Sequence, residues 1–230
     1  MNRSIRRSLL GALTVAAVGA WGGRGPTPAE AQTATPPPPK SQGNQKLPPP
    51  AALNTQGISG QVVGVLPSTL VVARDSLGGR PPFVERAAAL RWVDSLIGEQ
   101  LMMRAPEVNW KLPAQLRSMA RQAPGIAANP DYMGQSALRS PEINKVPDPL
   151  ISNLRTLMAI AGGRFVLVPA ALSFHHDSVG AVVVALNMAG VDTRMGDVIF
   201  RSYIQASGKT PAAALDSAMT ILLPVLAVDP

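Results

Sequence analysis

The last third of the chain, Arg164 to Pro230, most tightly constrains the fold. A continuous apolar run, Val179 to Met188, is joined to an alternating one, Val198 to Ile204, by the short loop Val191–Val198. A run with no polar face suits a central strand covered on both sides. In the run that follows, Val198, Phe200 and Ile204 alternate with Arg201, Tyr203 and Gln205, which predicts one buried and one polar face. Phe165–Phe174 precedes them as a further strand, and Thr210 with Pro211 opens a helix carrying Leu215, Met219, Leu222 and Leu226. Pro224 should kink or end that helix.

Upstream, Val62 to Ala73 reads as a strand that bends or lies at an edge where Pro67 removes a ladder donor. Phe83 to Arg104 is helical, with Phe83, Ala87, Leu90, Val93, Ile97 and Leu101 at spacings of three and four. Arg86 and Asp94 lie close to that stripe and make it imperfect. Ala105 to Asp148 is polar and broken by prolines, with short helices predicted over Leu112–Gln122 and Asp131–Arg139. Asp148 and Pro149 predict an N-cap and a first-turn proline for a helix bearing Leu150, Leu154, Leu157 and Met158, ended by Gly162-Gly163. The order is β, several helices, β-β-β, α. That predicts an α/β (α+β) sandwich, its sheet mostly antiparallel, with helices packed on it.

The first 31 residues read as an export signal. Arg3, Arg6 and Arg7 precede an apolar run from Leu9 to Trp21, and Ala29-Glu30-Ala31 supplies a cleavage site leaving Gln32 first. The Arg6-Arg7 pair leaves the choice between general and twin-arginine export open. Residues 32–57 read as a proline-rich disordered linker, with Pro36–Pro39 and Pro48–Pro50 bracketing a polar stretch. Residues 58–230 form a single domain. The chain has no cysteine, hence no disulfide and no thiol for a lipid anchor. No later segment is apolar enough to span a membrane. The expected product is exported, periplasmic or extracellular, and not lipidated. Removing residues 1–31 takes away Arg3, Arg6, Arg7, Arg24 and Glu30, leaving 17 basic against 13 acidic side chains. That scattered excess argues against nucleic-acid binding.

Two short motifs carry a resemblance. Val62-Val63-Gly64-Val65-Leu66-Pro67 resembles the V-x-V-L-P entry of TolB amino-terminal-like domains, and Val191-Asp192-Thr193-Arg194-Met195-Gly196-Asp197-Val198-Ile199-Phe200 resembles their V-D-x-R-T-G-x-V-L-W turn. The closing helix, with Ala212 to Ala218, is also similar. The superfamily includes the curli-secretion channel proteins and the lipoprotein activators of penicillin-binding proteins. The resemblance implies that fold and a non-enzymatic envelope role. Its signature residues Asp192, Arg194 and Gly196 serve the turn: Gly196 supplies a positive backbone angle and Asp192 caps its own backbone. The lipobox cysteine, the β-propeller that follows the domain in TolB, and any counterpart of the insert 111–145 are missing.

Catalytic equipment is sparse. His175, His176 and Asp177 fall where a strand turns back, and adjacent side chains on an extended chain point to opposite faces. A polar hairpin tip is the reading there, with no metal and no cofactor. Trp110, Tyr132 and Met133 lie in the proline-broken middle, where no periodic face demands them. They are candidates for a partner-binding surface or for a lid packed on the domain's own core. The leading reading is an exported, non-enzymatic binding or assembly module with an envelope protein as partner. An envelope hydrolase using His175 or His176 with Asp177, or a small-ligand binder, stands as the alternative. Replacing both histidines with alanine is expected to leave metal content and function unchanged, and loss of bound metal or activity in that variant would locate chemistry at the tip.

Overall fold

A computed structural model describes residues 50–224. The signal segment, most of the linker and Leu226 lie outside the described residues. The elements are β1 (Val62–Val65), β2 (Val71–Ala73), α1 (Arg86–Arg104), β3 (Asn109–Lys111), α2 (Pro113–Gln122), α3 (Leu150–Ala161), β4 (Phe165–His176), β5 (Val182–Asp192), β6 (Asp197–Gly208) and α4 (Pro211–Leu222). Short 3-10 turns at Pro130–Tyr132 and Gln135–Arg139 take the place of the helix expected over 131–139. The strands form one sheet in the order β3-β1-β4-β5-β6, with β2 also paired to β4. The long strands β4, β5 and β6 run antiparallel, whereas β1 pairs parallel with both β3 and β4, and β2 pairs parallel with β4. The α+β architecture with helices on the sheet is as the pattern predicts, and each parallel pairing extends over only the three or four residues of a short strand, β1, β2 or β3.

Helices pack on both faces of the sheet. On one, Val93, Ile97 and Leu101 of α1 and Leu215, Met219 and Leu222 of α4 pack against Leu172, Phe174, Val184, Leu186 and Met188. On the other, Leu116 of α2 and Leu154, Leu157 and Met158 of α3 pack against Val166, Val168, Ala189 and Val191. Burying one such side chain contributes about 1.5–3 kcal/mol, which is why β5 can have no polar face along most of its length. Phe174 is fully buried and stacks with Phe83 and Trp92, ring centroids 5.1 and 6.0 Å away. Phe83 makes this contact from the turn before α1, so the helix begins three residues later than its stripe suggests.

Several boundaries differ for identifiable reasons. The run Val62–Ala73 is two strands, because Pro67 cannot donate to a ladder and the next amide, Ser68, donates instead to the Asp94 carboxylate, 2.7 Å. The strand β3 is too short to show any periodicity. The N-cap of α3 is Pro149, and the Asp148 carboxylate accepts instead from the Ser152 hydroxyl, 2.9 Å. Strand β5 starts at Val182, leaving Val179 86% exposed in the turn. Residues 51–57, assigned to the linker, belong to the packed unit: the Leu53 amide donates to the Leu222 carbonyl, the Ala51 amide to the Ser202 hydroxyl, and the Leu53 side chain joins the core.

The expected alternation of β6 is corrected by a bulge. The register shifts between Gly190 and Val191 of β5, which face Phe200 and Val198, leaving Ile199 as the extra residue. Val198 therefore packs on the α3 side, while Phe200 and Ile204 pack on the α1–α4 side. Beyond Gly208 the chain turns into α4, whose Thr210 hydroxyl accepts from the Ala213 amide, 3.2 Å. A Cβ at Gly208 would lie 2.4 Å from the Ala214 backbone nitrogen. The Gly208→Ala variant is expected to lose about 1–3 kcal/mol of stability, since backbone cannot yield as a side chain does. Equilibrium denaturation checks this, and an unchanged midpoint would contradict the close packing of α4 on β6.

Candidate partner-binding surface

The three residues singled out in the broken middle are not brought together. Trp110 sits on β3 with only 4% exposure, its indole N–H donating to the Ala105 carbonyl, 2.8 Å. Met133 is 2% exposed and packs among the residues beneath α2 and α3. Both serve the domain's own core, the second of the two alternatives the sequence left open, and neither is part of an exposed surface: a short parallel strand and a 3-10 turn bury them without any helical or strand period. Tyr132 is 84% exposed.

What holds Tyr132 outward is a bracket of charges. The Asn129 side chain accepts from the Asp131 amide, 3.0 Å, and caps the turn Pro130–Tyr132. The Asp131 carboxylate receives the Arg117 guanidinium on both oxygens, at 2.8 to 3.1 Å. The same Arg117 reaches the Asp94 carboxylate, 2.9 Å, whose other oxygen accepts the Ser68 amide. One guanidinium thus ties α1, α2, the Tyr132 turn and the loop after β1. Gln135 adds a bond to the Pro130 carbonyl, 3.1 Å. Burial pushes the Asp94 carboxyl above the ordinary carboxylate range, against the opposing pull of the Ser68 amide and Arg117. Hydrogen bonding to Asp131 above all raises the Arg117 guanidinium further.

Surface relief follows the same bracket. An open cleft between α1 and α2 is lined by Asp94, Gly98, Met102, Leu112, Pro113 and Arg117, and Arg117 also walls a shallow depression with Ala127 and Asn129. Around them Met102, Met103 and Ile126 are 52%, 63% and 71% exposed. Asp94 was legible only as a flaw, a carboxylate near an apolar stripe, and Arg117 not at all; nothing local announced that a distant arginine would meet that carboxylate.

The turn signature works through its backbone. Asp192 is 4% exposed, and its carboxylate accepts from the Arg194 amide, 3.0 Å, and from Arg164 Nε, 2.9 Å. The Arg164 guanidinium, with smaller help from the turn amides, holds this carboxyl below its ordinary range. Gly196, at φ 77°, donates its amide to the Asp192 carbonyl, 2.8 Å. Arg155 from α3 donates to the Thr193 carbonyl, 2.9 Å, and Lys145 pairs with Asp197, 2.7 Å. Arg194 is exposed and serves the turn through its backbone, its amide donating to Asp192 and its carbonyl accepting from Arg155 Nη2, 3.3 Å.

His175 and His176 end β4, opposite Val183 and Val182, instead of forming the hairpin tip. The tip is the Asp177–Gly180 turn, where the Asp177 carboxylate accepts from the amides of Val179 and Ala181, 3.0 and 2.8 Å. That carboxylate is engaged with backbone and not with either imidazole. Among the described residues no group of three or more His, Cys, Asp or Glu converges as metal ligands, and no helix is long and apolar enough to cross a membrane.

No protein-family model matches the chain, and no curated protein sequence does. Among solved structures it is similar to the LpoB C-terminal domain from Salmonella enterica, at 18% identity over 65% of this chain and 84% of that one, TM-score 0.37. It is also similar to the lipoprotein GNA1162 from Neisseria meningitidis, at 15% identity over 65% and 82%, TM-score 0.30. A third, the PelC dodecamer from Paraburkholderia phytofirmans, aligns at 13% identity over 77% and 94%, TM-score 0.37.

Removing Arg117 leaves Asp94 buried without a counter-charge. Because the Arg117 side chain is 24% exposed, the Arg117→Met variant is expected to lose about 2 kcal/mol at neutral pH, less than a fully buried pair would. A raised carboxyl pKa favours the folded state in acid, and that advantage is lost as pH rises from 3.8 through the folded value. Without Arg117 the folded value rises further. The deficit of the variant should therefore shrink toward zero below pH 3.8 and grow above it, which denaturation across a pH series reads directly.

Proposed function

We propose that the chain is an exported, non-enzymatic binding or assembly module of the cell envelope, periplasmic or extracellular, whose partner is another envelope protein. The signal-like start, with its arginines, apolar run and Ala29-Glu30-Ala31 site, supports export, and the proline-rich stretch supports a spacer ahead of the domain. The TolB amino-terminal-like motifs support a non-enzymatic envelope role. With no cysteine in the sequence, a thioether-linked lipid has no attachment point.

One observation carries the reading of the surface: Tyr132, 84% exposed, stands on a turn that two carboxylates, an arginine and an asparagine hold rigid. A large amphipathic ring fixed in place loses little entropy when a partner covers it, and tyrosine is enriched where partners bind most strongly. The exposed Ile126 of the same segment supplies apolar area, and Arg121 with the Arg117–Asp131 bracket supplies a charged rim. This arrangement suits a protein surface better than a small ligand, because the relief around Tyr132 is open.

A photo-crosslinking residue placed at 132 in the native host is expected to trap one envelope protein reproducibly. The same probe at Val179, exposed on the opposite hairpin, should not trap it, and Tyr132→Ala should weaken co-purification of that protein. Equal adducts at both positions, or none at 132, would remove the basis for this surface.

A further inference from the structure

Among the described residues β6 ends the sheet, with β5 on one side and no strand on the other. Its first residues are shielded. Lys145 bridges Asp197, the Val198 amide donates to the Asn144 carbonyl, 2.9 Å, and Arg201 turns its guanidinium to the carbonyls of Leu138 and Ile143. From Ile199 to Gly208 the picture changes. Among the described residues, no backbone group of this stretch bonds to backbone outside the sheet, and no side chain bonds to its backbone. An edge strand points the N–H and C=O of every second residue away from its neighbour, so this length presents an open ladder.

The devices that normally blunt such an edge are absent here. Ser202-Tyr203-Ile204-Gln205-Ala206-Ser207-Gly208 has no charge and no proline, and Tyr203, Ile204 and the serines favour extended pairing. Charges occur only at its two ends, Arg201 and Lys209. The sheet face beside the edge is also neutral and lacks a helix cover: Ser173, Asn187 and Tyr203 are half-buried there, and Gln205 and Ser207 are exposed.

We propose that the β6 edge is a pairing surface for a second copy of this chain, joined β6 to β6 about a two-fold axis into one continuous sheet. Two identical strands related by a two-fold axis necessarily run antiparallel, the mode β6 already uses with β5. Pairing centred near Ile204 sets Tyr203 opposite Gln205 and Arg201 opposite Ser207, so no like charges meet. Pairing centred on Gln205 sets Arg201 against Lys209, which fixes the register in favour of the former. The proline runs Pro36–Pro39 and Pro48–Pro50 have no N–H to donate and are poor occupants, while occupation of the edge by the proline-free residues between them, Lys40–Leu47, is an outcome of the test that would overturn the proposal. This inference goes beyond the partner reading and does not rest on it, because the surface around Tyr132 lies on other elements.

Sedimentation of the full chain tests it, with circular dichroism confirming that each variant folds. The wild type is expected to sediment as a dimer. Gln205→Lys and Gln205→Glu, each at an exposed position, should lose the dimer, because with Ile204 on the axis the two copies of residue 205 are diagonal neighbours about 7–8 Å apart and carry like charges. Mixing the two variants should restore it, which a merely unfolded variant cannot do. In the wild-type dimer, backbone amides within 199–208 should exchange more slowly than in either variant alone. A wild-type monomer at all concentrations would overturn the proposal, whether its edge amides exchange quickly or are protected by the chain's own tails. So would an assembly whose mass both variants leave unchanged, or a mixture that stays monomeric.

Discussion

Everything in this domain is arranged around the burial of β5 on both faces. A strand whose alternate residues, Val184, Leu186 and Met188 on one side and Ala189 and Val191 on the other, are all removed from water needs a layer above and a layer below. Helices α1 and α4 supply one layer, and α2 with α3 supplies the other. The insert between β3 and α3 then closes what the second layer leaves open, through Leu138, Val146 and the arginine contacts to its carbonyls. The bulge at Ile199 is part of the same solution. It allows one strand to send Val198 to one layer and Phe200 to the other.

The charges that look functional are mostly structural. Asp192 and Arg164 fasten the β5–β6 turn to the start of β4, while Arg117 fastens α1 to α2 and to the turn bearing Tyr132. Each does so at a point where backbone leaves regular structure and polar groups need partners. Carboxylates spent in this way hold backbone and helices together. The Asp94 network also explains how a polar, proline-broken segment keeps one conformation with little apolar surface of its own.

Long elements were legible in the sequence because their period is long enough to read. Strands β4 to β6 and helices α1, α3 and α4 follow from the spacing of Leu, Val and Ile. Short elements were not: β2 and β3 have three residues each, and pairing with β4 and β1 creates them. Trp110 and Met133 looked stranded for the same reason, since the faces that bury them belong to distant segments. Of the site, the sequence showed Tyr132 but not its bracket. Asp94 and Arg117 are 23 residues apart and meet only when α1 and α2 cross.

The bonds that join Leu53 to Leu222 and Ala51 to Ser202 place the entry and the exit of the domain side by side. Mechanically, the domain hangs from one point. A pull applied through the preceding segment is resisted first by Leu53 and by the end of α4, as in a zip, and the sheet is loaded only after those contacts part. Anything fused or tethered at either end therefore gathers at one pole of the domain, beside the end of α4 and Ser202 of β6.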